Sequence, residues 1–393
     1  MTGKITDSII YIGVNDRDID LFESQYKVPN GMAYNSYVIL DKKTALMDTV
    51  DARKTSEWEI NLNEALDGRK LDYIIVQHLE PDHSGSLQKA INAYPEAKIV
   101  GSEMTIKMLP QFVECDLAGR TLAVKEGEEL SLGSHTLTFV MAPMVHWPEV
   151  MVTYEKEDKI LFSADAFGKF GTTDADEPWI DEARRYYINI VGKYGASVTT
   201  LLGKAANLEI EKICALHGPV LTENIGYYVD LYKTWSSYEP EKKGVFVAVA
   251  SIHGNTKKAA DEFVEILKEK GEENVVELEI SRSDISECVA KCFEYDRIVF
   301  AAASYDGGVF LPMADLLTHL SAKTWRKRKV GFIQNGSWAP TALTAMKKSL
   351  DAMKDISYID SPVTIMSTVK LTDKEKFYEL ADAVIAAGKN EAF

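Results

Sequence analysis

Two imidazoles and two carboxylates fall within six residues at His78-Leu79-Glu80-Pro81-Asp82-His83. Donors of these types, so close together, suit a transition-metal ion. Pro81 stiffens the turn between them. The apolar run at 73–76 reads as a buried strand, and His78 comes just past its end. Side chains in that position can converge on a shared centre. Alternation along an extended turn sends His78 and Glu80 to one side and leaves Asp82 and His83 for a second ion. Three more candidates recur in the same setting. His146 follows a strand ending near Val140, Asp165 follows the apolar run at 160–162, and His217 follows the run at 213–216. With Asp165 bridging, each of two ions receives two histidines, one terminal carboxylate and one shared carboxylate. Open positions remain on both metals, as small-molecule activation requires. A lone histidine after a strand is ordinarily structural; the combination is what points to metal. His135, His253 and His319 lack such surroundings, and His135 and His319 read as structural or solvated.

A second constellation lies further along. Residues 245–256 read as a strand, a short polar loop and a helix start. Backbone N–H groups at a helix N-terminus suit a phosphate. The loop is Ser251, Ile252, His253, Gly254, Asn255 and Thr256. Ser251 and Thr256 add hydroxyls, Asn255 adds an amide, and Gly254 lets the backbone approach. This is not the GxGxxG dinucleotide pattern. Two later loops also follow strands: Ser304, Tyr305, Asp306, Gly307 and Gly308, then Asn335, Gly336, Ser337 and Trp338. Three loops at the carboxyl ends of three strands fit the binding rule for open α/β sheets.

The elements that must carry these residues fall into two regions. A chain of 393 residues, 46% hydrophobic, is too long for one ordinary core. The polar stretch at 233–244 contains Pro240, ends in Gly244 and reads as an exposed linker. Before it, strands are expected at 37–40 and 44–47 as a hairpin, then at 73–76, 137–140, 159–162 and 212–216. Residues 181–206 look helical, with a break around Gly192 and Gly195. Strands with interspersed helices imply an α+β sandwich. After the linker, strands begin at Val245, Val275, Arg297, Val330 and Val363. Helices are expected at 256–270, 283–294, 312–322, 339–353 and 373–387. Five βα units imply a doubly wound parallel sheet.

Bulk properties exclude several classes. A net charge of -16 argues against a nucleic-acid or anionic-membrane surface. The N-terminus shows no apolar signal-peptide region, and no apolar run is long enough to span a bilayer. Cys115, Cys214, Cys288 and Cys292 make neither a disulfide framework nor a CxxC pair. Cys288 and Cys292 read as buried small hydrophobes. A reducing cytoplasm is the simplest setting.

The order H-x-E-x-D-H, then His146, Asp165 and His217, resembles the metallo-β-lactamase fold. Its hydrolases usually carry H-x-H-x-D-H and zinc. Here Glu80 stands in place of the second histidine, and a harder oxygen ligand shifts the preference towards iron or manganese. That exchange resembles the flavodiiron proteins, also called A-type flavoproteins. The stretches 142–148 and 183–195 resemble them too, and the likeness covers nearly the whole chain. The Ser251–Thr256 loop resembles the flavodoxin phosphate loop, whose ligand is FMN. In that fold the loops at 304–308 and 335–338 hold the isoalloxazine, with Tyr305 and Trp338 as aromatic candidates. The departures are His253, Asp306-Gly307, Asn335-Gly-Ser, and Glu149 where His-Trp-Pro-Asp is usual. They bear on the flavin contacts and leave the seven ligands untouched.

The resemblance implies a metallo-β-lactamase-like αββα sandwich over residues 1–240, binding two irons, and a flavodoxin-like domain over 243–393, binding FMN. It implies an oxidoreductase that reduces dioxygen to water, nitric oxide to nitrous oxide, or both. No C-terminal rubredoxin pattern is present, so a separate rubredoxin is the expected donor, with a deazaflavin or a flavin reductase behind it. A head-to-tail homodimer, or a dimer of dimers, is expected. Tyr194 is a candidate to stand near the irons and assist protons, and Trp147 to line the route between the cofactors. The rivals are a zinc hydrolase with a passenger domain and a non-catalytic electron carrier.

Overall fold

The computed structural model describes residues 2–389. Contacts divide the chain into two compact units, Met1–Lys233 and Thr234–Phe393.

The first unit holds two small two-stranded sheets and two large ones. One runs, edge to edge, through Gly3–Lys4, Ile9–Tyr11, Tyr37–Ile39, Ala45–Met47, Tyr73–Ile75, Lys98–Ser102 and Thr121–Val124. The other runs through Glu129–Ser131, Thr136–Met141, Met151–Glu155, Ile160–Phe162 and Lys212–Cys214. Ile39, Met47 and Ile75 from the first sheet share one buried cluster with Phe139, Met151 and Phe162 from the second. The two sheets therefore pack on a common apolar core, each such side chain contributing about 1.5–3 kcal/mol. Strands Tyr37–Ile39, Ala45–Met47 and Tyr73–Ile75 are buried throughout. Buried on both faces, they read as continuous apolar runs without alternation.

Register explains where the chemistry sits. Ile75 pairs in parallel with Met47, and Phe162 pairs in parallel with Cys214. His78, Asp165 and His217 each come three residues after Ile75, Phe162 and Cys214. The parallel ladder of the second sheet thus delivers Asp165 and His217 from matching strand ends, and His78 comes from a strand end of the first sheet.

The second unit is a parallel sheet in the order Val275–Glu279, Lys242–Ala250, Tyr295–Tyr305 and Arg328–Asn335, with Ile356–Tyr358 and Val363–Ile365 both pairing with the last. This is the 2-1-3-4-5 order of flavodoxin-like folds. Helices Asn255–Glu269 and Lys374–Lys389 bury Phe263, Leu267, Phe377 and Leu380 against Val247, Val299 and Ile333 of the sheet.

Four expectations change. The segment after Glu80 is not an extended turn: Pro81–Ser84 is one helical turn with Pro81 at its start, where proline's fixed φ and missing N–H cost nothing. The helix expected at 181–206 breaks at the tight turn Gly192–Tyr194, as its glycines imply, but its first part is also divided, into Trp179–Tyr186 and a π-helical turn Tyr187–Val191, before Gly195–Ala205. The strand expected at Val363 is found as Val363–Ile365, but a further strand, Ile356–Tyr358, precedes it, with Ser361 at a positive φ of 62° and Pro362 between the two. The stretch at 233–244 is not an exposed linker. Helix Ile225–Ser236 runs into it, and Trp235, Ser236 and Tyr238 are buried. Trp235 Nε1 donates to Glu241 at 2.9 Å, and the buried Arg328 donates to the Tyr238 carbonyl at 2.8 Å.

Candidate metal centre and flavin cavity

Seven buried or half-buried donors converge at the strand ends of the first unit in two adjoining groups. One is His78, Glu80, His146 and Asp165; the other is Asp82, His83 and His217. Within each group the donor atoms all lie within 4.8 Å of one another. In the first group His146 Nε2 is 2.9 Å from Glu80 Oε2 and His78 Nε2 is 3.3 Å from the same oxygen. In the second, Asp82 Oδ2 is 3.2 Å from His217 Nε2 and 3.3 Å from His83 Nε2. Asp165 faces both. Its Oδ2 is 3.2 Å from His146 Nε2 and 3.4 Å from His78 Nε2, while its Oδ1 is 3.0 Å from His83 Nε2 and 3.6 Å from His217 Nε2. The expected division of the cluster is therefore seen, by a different route. The chain is extended at Glu80 (φ -55°, ψ 139°) and the helical turn then swings Asp82 and His83 to the other side.

The donors fit a pair of cations. Both oxygens of Asp82 and of Asp165, with Nε2 of His83 and of His217, are buried and make no hydrogen bond among the described residues. Burying such groups unsatisfied costs about 1–3 kcal/mol each. They approach one another without bonding, as groups do that face a common centre. Two carboxylate-rich, imidazole-rich spheres with few hydrogen bonds of their own are what a hard or borderline divalent ion completes.

Electrostatics agree. Burial disfavours the charged form of His78, yet the adjacent Asp165 carboxylate outweighs it and holds the imidazole well above its usual range. Burial likewise opposes protonation of His146, but Asp165 and Glu80 raise it to about 9. Glu80, despite its burial, is lowered to about 2 by His146 and His78. Asp165 is held well below the carboxylate range by His83 and His78, which outweigh its burial. The pocket strongly favours alternating charge.

The ligand loop is braced from behind. Asp48 Oδ1 accepts the Gln77 N–H at 2.8 Å, and Thr49 Oγ1 donates to the His83 carbonyl at 2.5 Å. Gly85 lets the helical turn approach the chain at Ala52: a Cβ there would sit 2.5 Å from Ala52 N. The sequence pattern set Glu149 beside the flavin contacts. That placement is corrected: Glu149 is fully buried and accepts from His78 Nδ1 at 2.8 Å. The signal was its position three residues after His146 in the same loop.

Aromatic walls enclose the pocket. Trp147 stands edge-on to His78 with ring centroids 5.3 Å apart. Tyr194 is half-buried, with the Lys193 ammonium 5.9 Å from its ring centroid. The tyrosine seen against a ligand is instead Tyr186, fully buried and 5.4 Å from the His217 ring, with Phe22 at 5.5 Å from the same ring. Phe22 comes from a two-residue strand, Leu21–Phe22, which no local pattern announces. A third group, His135, Glu155 and Asp158, is structural: His135 Nδ1 donates to Glu155 at 2.9 Å and its Nε2 lies 2.8 Å from Ser8 Oγ.

In the second unit a cavity of about 550 Å³ opens at the carboxyl ends of three strands. Its wall includes Ile252, His253, Asn255, Thr256, Ser304, Tyr305, Asp306, Gly307, Asn335, Gly336, Ser337 and Trp338, together with Ala303, Ala339, Thr341 and Ser367. That volume is ordinary for a small-molecule or cofactor site. Several predicted contacts prove to be builders of the loops. Ser251 Oγ accepts the N–H groups of Gly254 and Lys257 at 3.1 and 3.2 Å. Ser304 Oγ accepts those of Thr341 and Ala342 at 2.8 and 3.1 Å, which starts helix Ala342–Leu350 later than the pattern implied. Asn335 clamps Ser367 through both of its side-chain polar atoms. Gly308 pairs back onto Tyr305, and Gly254 has a φ of 86° that disfavours a side chain. Asn255 and Thr256 open helix Asn255–Glu269, whose N-terminus faces the cavity as a phosphate site requires. Trp338 is 91% exposed and Tyr305 43%, leaving apolar rings at the rim for a flat ligand to cover.

Residues 32–218 match the family described as ODP family beta lactamase. An uncharacterized protein of Methanocaldococcus jannaschii is 29% identical over 398 residues, covering 99% of each chain. The anaerobic nitric oxide reductase flavorubredoxin of Vibrio vulnificus is 28% identical over 357 residues, 86% of this chain and 70% of that one. Among solved structures, the rubredoxin oxygen:oxidoreductase of Desulfovibrio gigas superposes with a TM-score of 0.91 at 26% identity, covering 99% of each chain. A flavo di-iron protein variant of Thermotoga maritima superposes at 0.87 with 25% identity, covering 99% of this chain and 98% of that one. With two groups of metal-type donors in one half and the flavodoxin-like cavity in the other, this chain resembles the flavodiiron proteins over nearly its whole length.

Proposed function

We propose that the chain reduces dioxygen to water, nitric oxide to nitrous oxide, or both, at a pair of irons held by His78, Glu80, Asp82, His83, His146, Asp165 and His217. The observation that carries this is Asp165, which turns one oxygen to each group of donors. Ferrous ions there would supply electrons and open positions for a diatomic gas, and FMN in the second unit would relay electrons from outside. The chain's own residues hold and shield. Glu80 and Asp82 cap the two positions, Asp165 ties them together, and Trp147 and Tyr186 wall off water. Residues 1–240 form the metal domain and residues 243–393 the FMN domain on this reading. Ser251, Asn255 and Thr256 organise the phosphate end, and Tyr305 and Trp338 meet the ring.

The donor is a separate small redox protein of the rubredoxin type, with a deazaflavin or flavin reductase as the other sources. The assembly is a head-to-tail homodimer, alone or doubled; sedimentation showing an active monomer overturns that. Among the described residues no helix is long and apolar enough to cross a membrane, and the setting we propose is the reducing cytoplasm. The decisive experiment is anaerobic purification, analysis for iron, zinc and flavin, then addition of a reductant with either gas. About two irons and one FMN per chain with gas consumption support the reading. Zinc alone, with no gas uptake, overturns it.

A further inference from the structure

The two groups of donors are backed differently. His78 Nδ1 donates to Glu149 Oε1 at 2.8 Å, with both side chains fully buried. The Leu79 N–H donates to the same oxygen at 2.9 Å. Glu149 is itself braced: the Ser102 and Thr105 hydroxyls donate to its backbone carbonyl at 2.8 and 3.2 Å. Its other oxygen, Oε2, is buried and makes no hydrogen bond among the described residues. A full carboxylate charge is thus kept behind one imidazole, at the cost of desolvation.

Among the described residues no carboxylate is hydrogen-bonded to an outer imidazole nitrogen of the second group. His217 Nδ1 donates to the Ala33 carbonyl at 2.7 Å, a neutral acceptor. His83 Nδ1 is buried and makes no hydrogen bond among the described residues. An acceptor on the outer nitrogen of a metal-binding histidine fixes its tautomer and ring orientation and raises its basicity. An anionic acceptor does so more strongly than a neutral one. The Glu149 charge also lies near the first ion itself.

We infer that Glu149 is a positioning residue that makes the two metal positions unequal, so that the ion held by His78, Glu80 and His146 is retained more tightly than the ion held by Asp82, His83 and His217. This rests on the reading of the pocket as a two-metal site. A purely structural Glu149 would serve only to satisfy the Leu79 N–H. The variant Glu149→Gln separates the two roles: it keeps an acceptor oxygen for that N–H and the side-chain length, and it removes the charge.

The test loads full-length apoprotein with ferrous iron under anaerobic conditions and strips it with increasing chelator. Iron per chain is read at each step. The native chain should lose its ions in two separated steps. In Asp82→Ala, which dismantles only the second group, the ion that remains should leave at the later step. In Glu149→Gln the later step should move earlier by about 10- to 100-fold in chelator concentration, while the earlier step stays where it is. Glu149→Asp, which keeps the charge, should restore the separation in part, and it decides the matter if the glutamine variant fails to fold. A single step in the native chain, an unaltered two-step curve in Glu149→Gln, or no restoration in Glu149→Asp overturns the inference. A native chain that takes up no iron overturns the two-metal reading instead.

Discussion

Asp48 Oδ1 accepts the backbone N–H of Gln77 at 2.8 Å, one residue before the first ligand. Asp48 sits at the end of strand Ala45–Met47 in a left-handed conformation (φ 53°), and its Oδ2 accepts from Gln77 Nε2 at 3.0 Å. One buried carboxylate therefore fixes where the chain leaves strand Tyr73–Ile75, and so where His78 points. Asp48→Ala should strand the Gln77 N–H and cost about 2 kcal/mol of stability, with reduced metal uptake. Asp48→Asn keeps an acceptor and should lose much less. Chemical denaturation of both apoproteins checks this. Equal losses would mean that the side chain acts by bulk alone.

Asp165 and Asp82 differ in reach. Asp165 addresses both groups of donors, and Asp82 lies against His83 and His217. Asp165→Ala should lower iron from about two per chain to below one, because each sphere loses an oxygen and the buried imidazoles repel. Asp82→Ala should leave about one. Metal analysis after anaerobic loading, with circular dichroism to confirm folding, distinguishes them. Two full ions in Asp165→Ala would remove its bridging role.

The cluster of candidate donors was legible because metal chemistry restricts residue types more tightly than folding does. His78, Asp165 and His217 each follow a short apolar run, and parallel pairing turns the repeated offset of the last two into convergence. The seam before the second unit was legible as a change of pattern and misread as exposed. Arg328, 90 residues away, clamps the Tyr238 carbonyl there, and no local rule anticipates so distant a partner. Tyr186 and Phe22 reach the pocket through tertiary packing from a π-helical junction and a two-residue strand. Glu149 was visible and assigned to the wrong site, because a carboxylate in a loop gives no sign of which imidazole it will back.

Metal uptake should release protons. His146 is raised to about 9 in the pocket without metal, because Asp165 and Glu80 outweigh its burial. At neutral pH the ion must displace that proton, so apparent affinity rises with pH through about 9. Glu80, lowered to about 2, is already ionised and contributes nothing over that range. The same linkage sets the stability of the apoprotein. The folded value of His146 lies above its ordinary 6.5, so its stabilisation is complete below pH 6.5 and fades as pH rises through about 9. Titrating apoprotein with zinc, a redox-inert probe, in weakly buffered indicator solution at pH 7 should show net acid. A silent indicator would contradict the charge pattern of the pocket.

In the second unit Trp338 and Ser304 should fail in different ways. Trp338 is almost wholly exposed at the rim of the cavity, so removing it disturbs no packing. If its ring lies against the flavin, Trp338→Ala should weaken FMN binding by about 5- to 10-fold, roughly 1 kcal/mol of stacking, without lowering the unfolding midpoint. Ser304 faces the same cavity, but its Oγ accepts two N–H groups at the start of helix Ala342–Leu350. Ser304→Ala should therefore cost about 1 kcal/mol of stability, as loss of a helix cap does, and weaken FMN through the displaced loop. Quenching of FMN fluorescence gives the affinity, and thermal unfolding of the same samples gives the stability. A Trp338→Ala chain that binds FMN as tightly as the native one would place the ring elsewhere, with Tyr305 as the aromatic left at the rim.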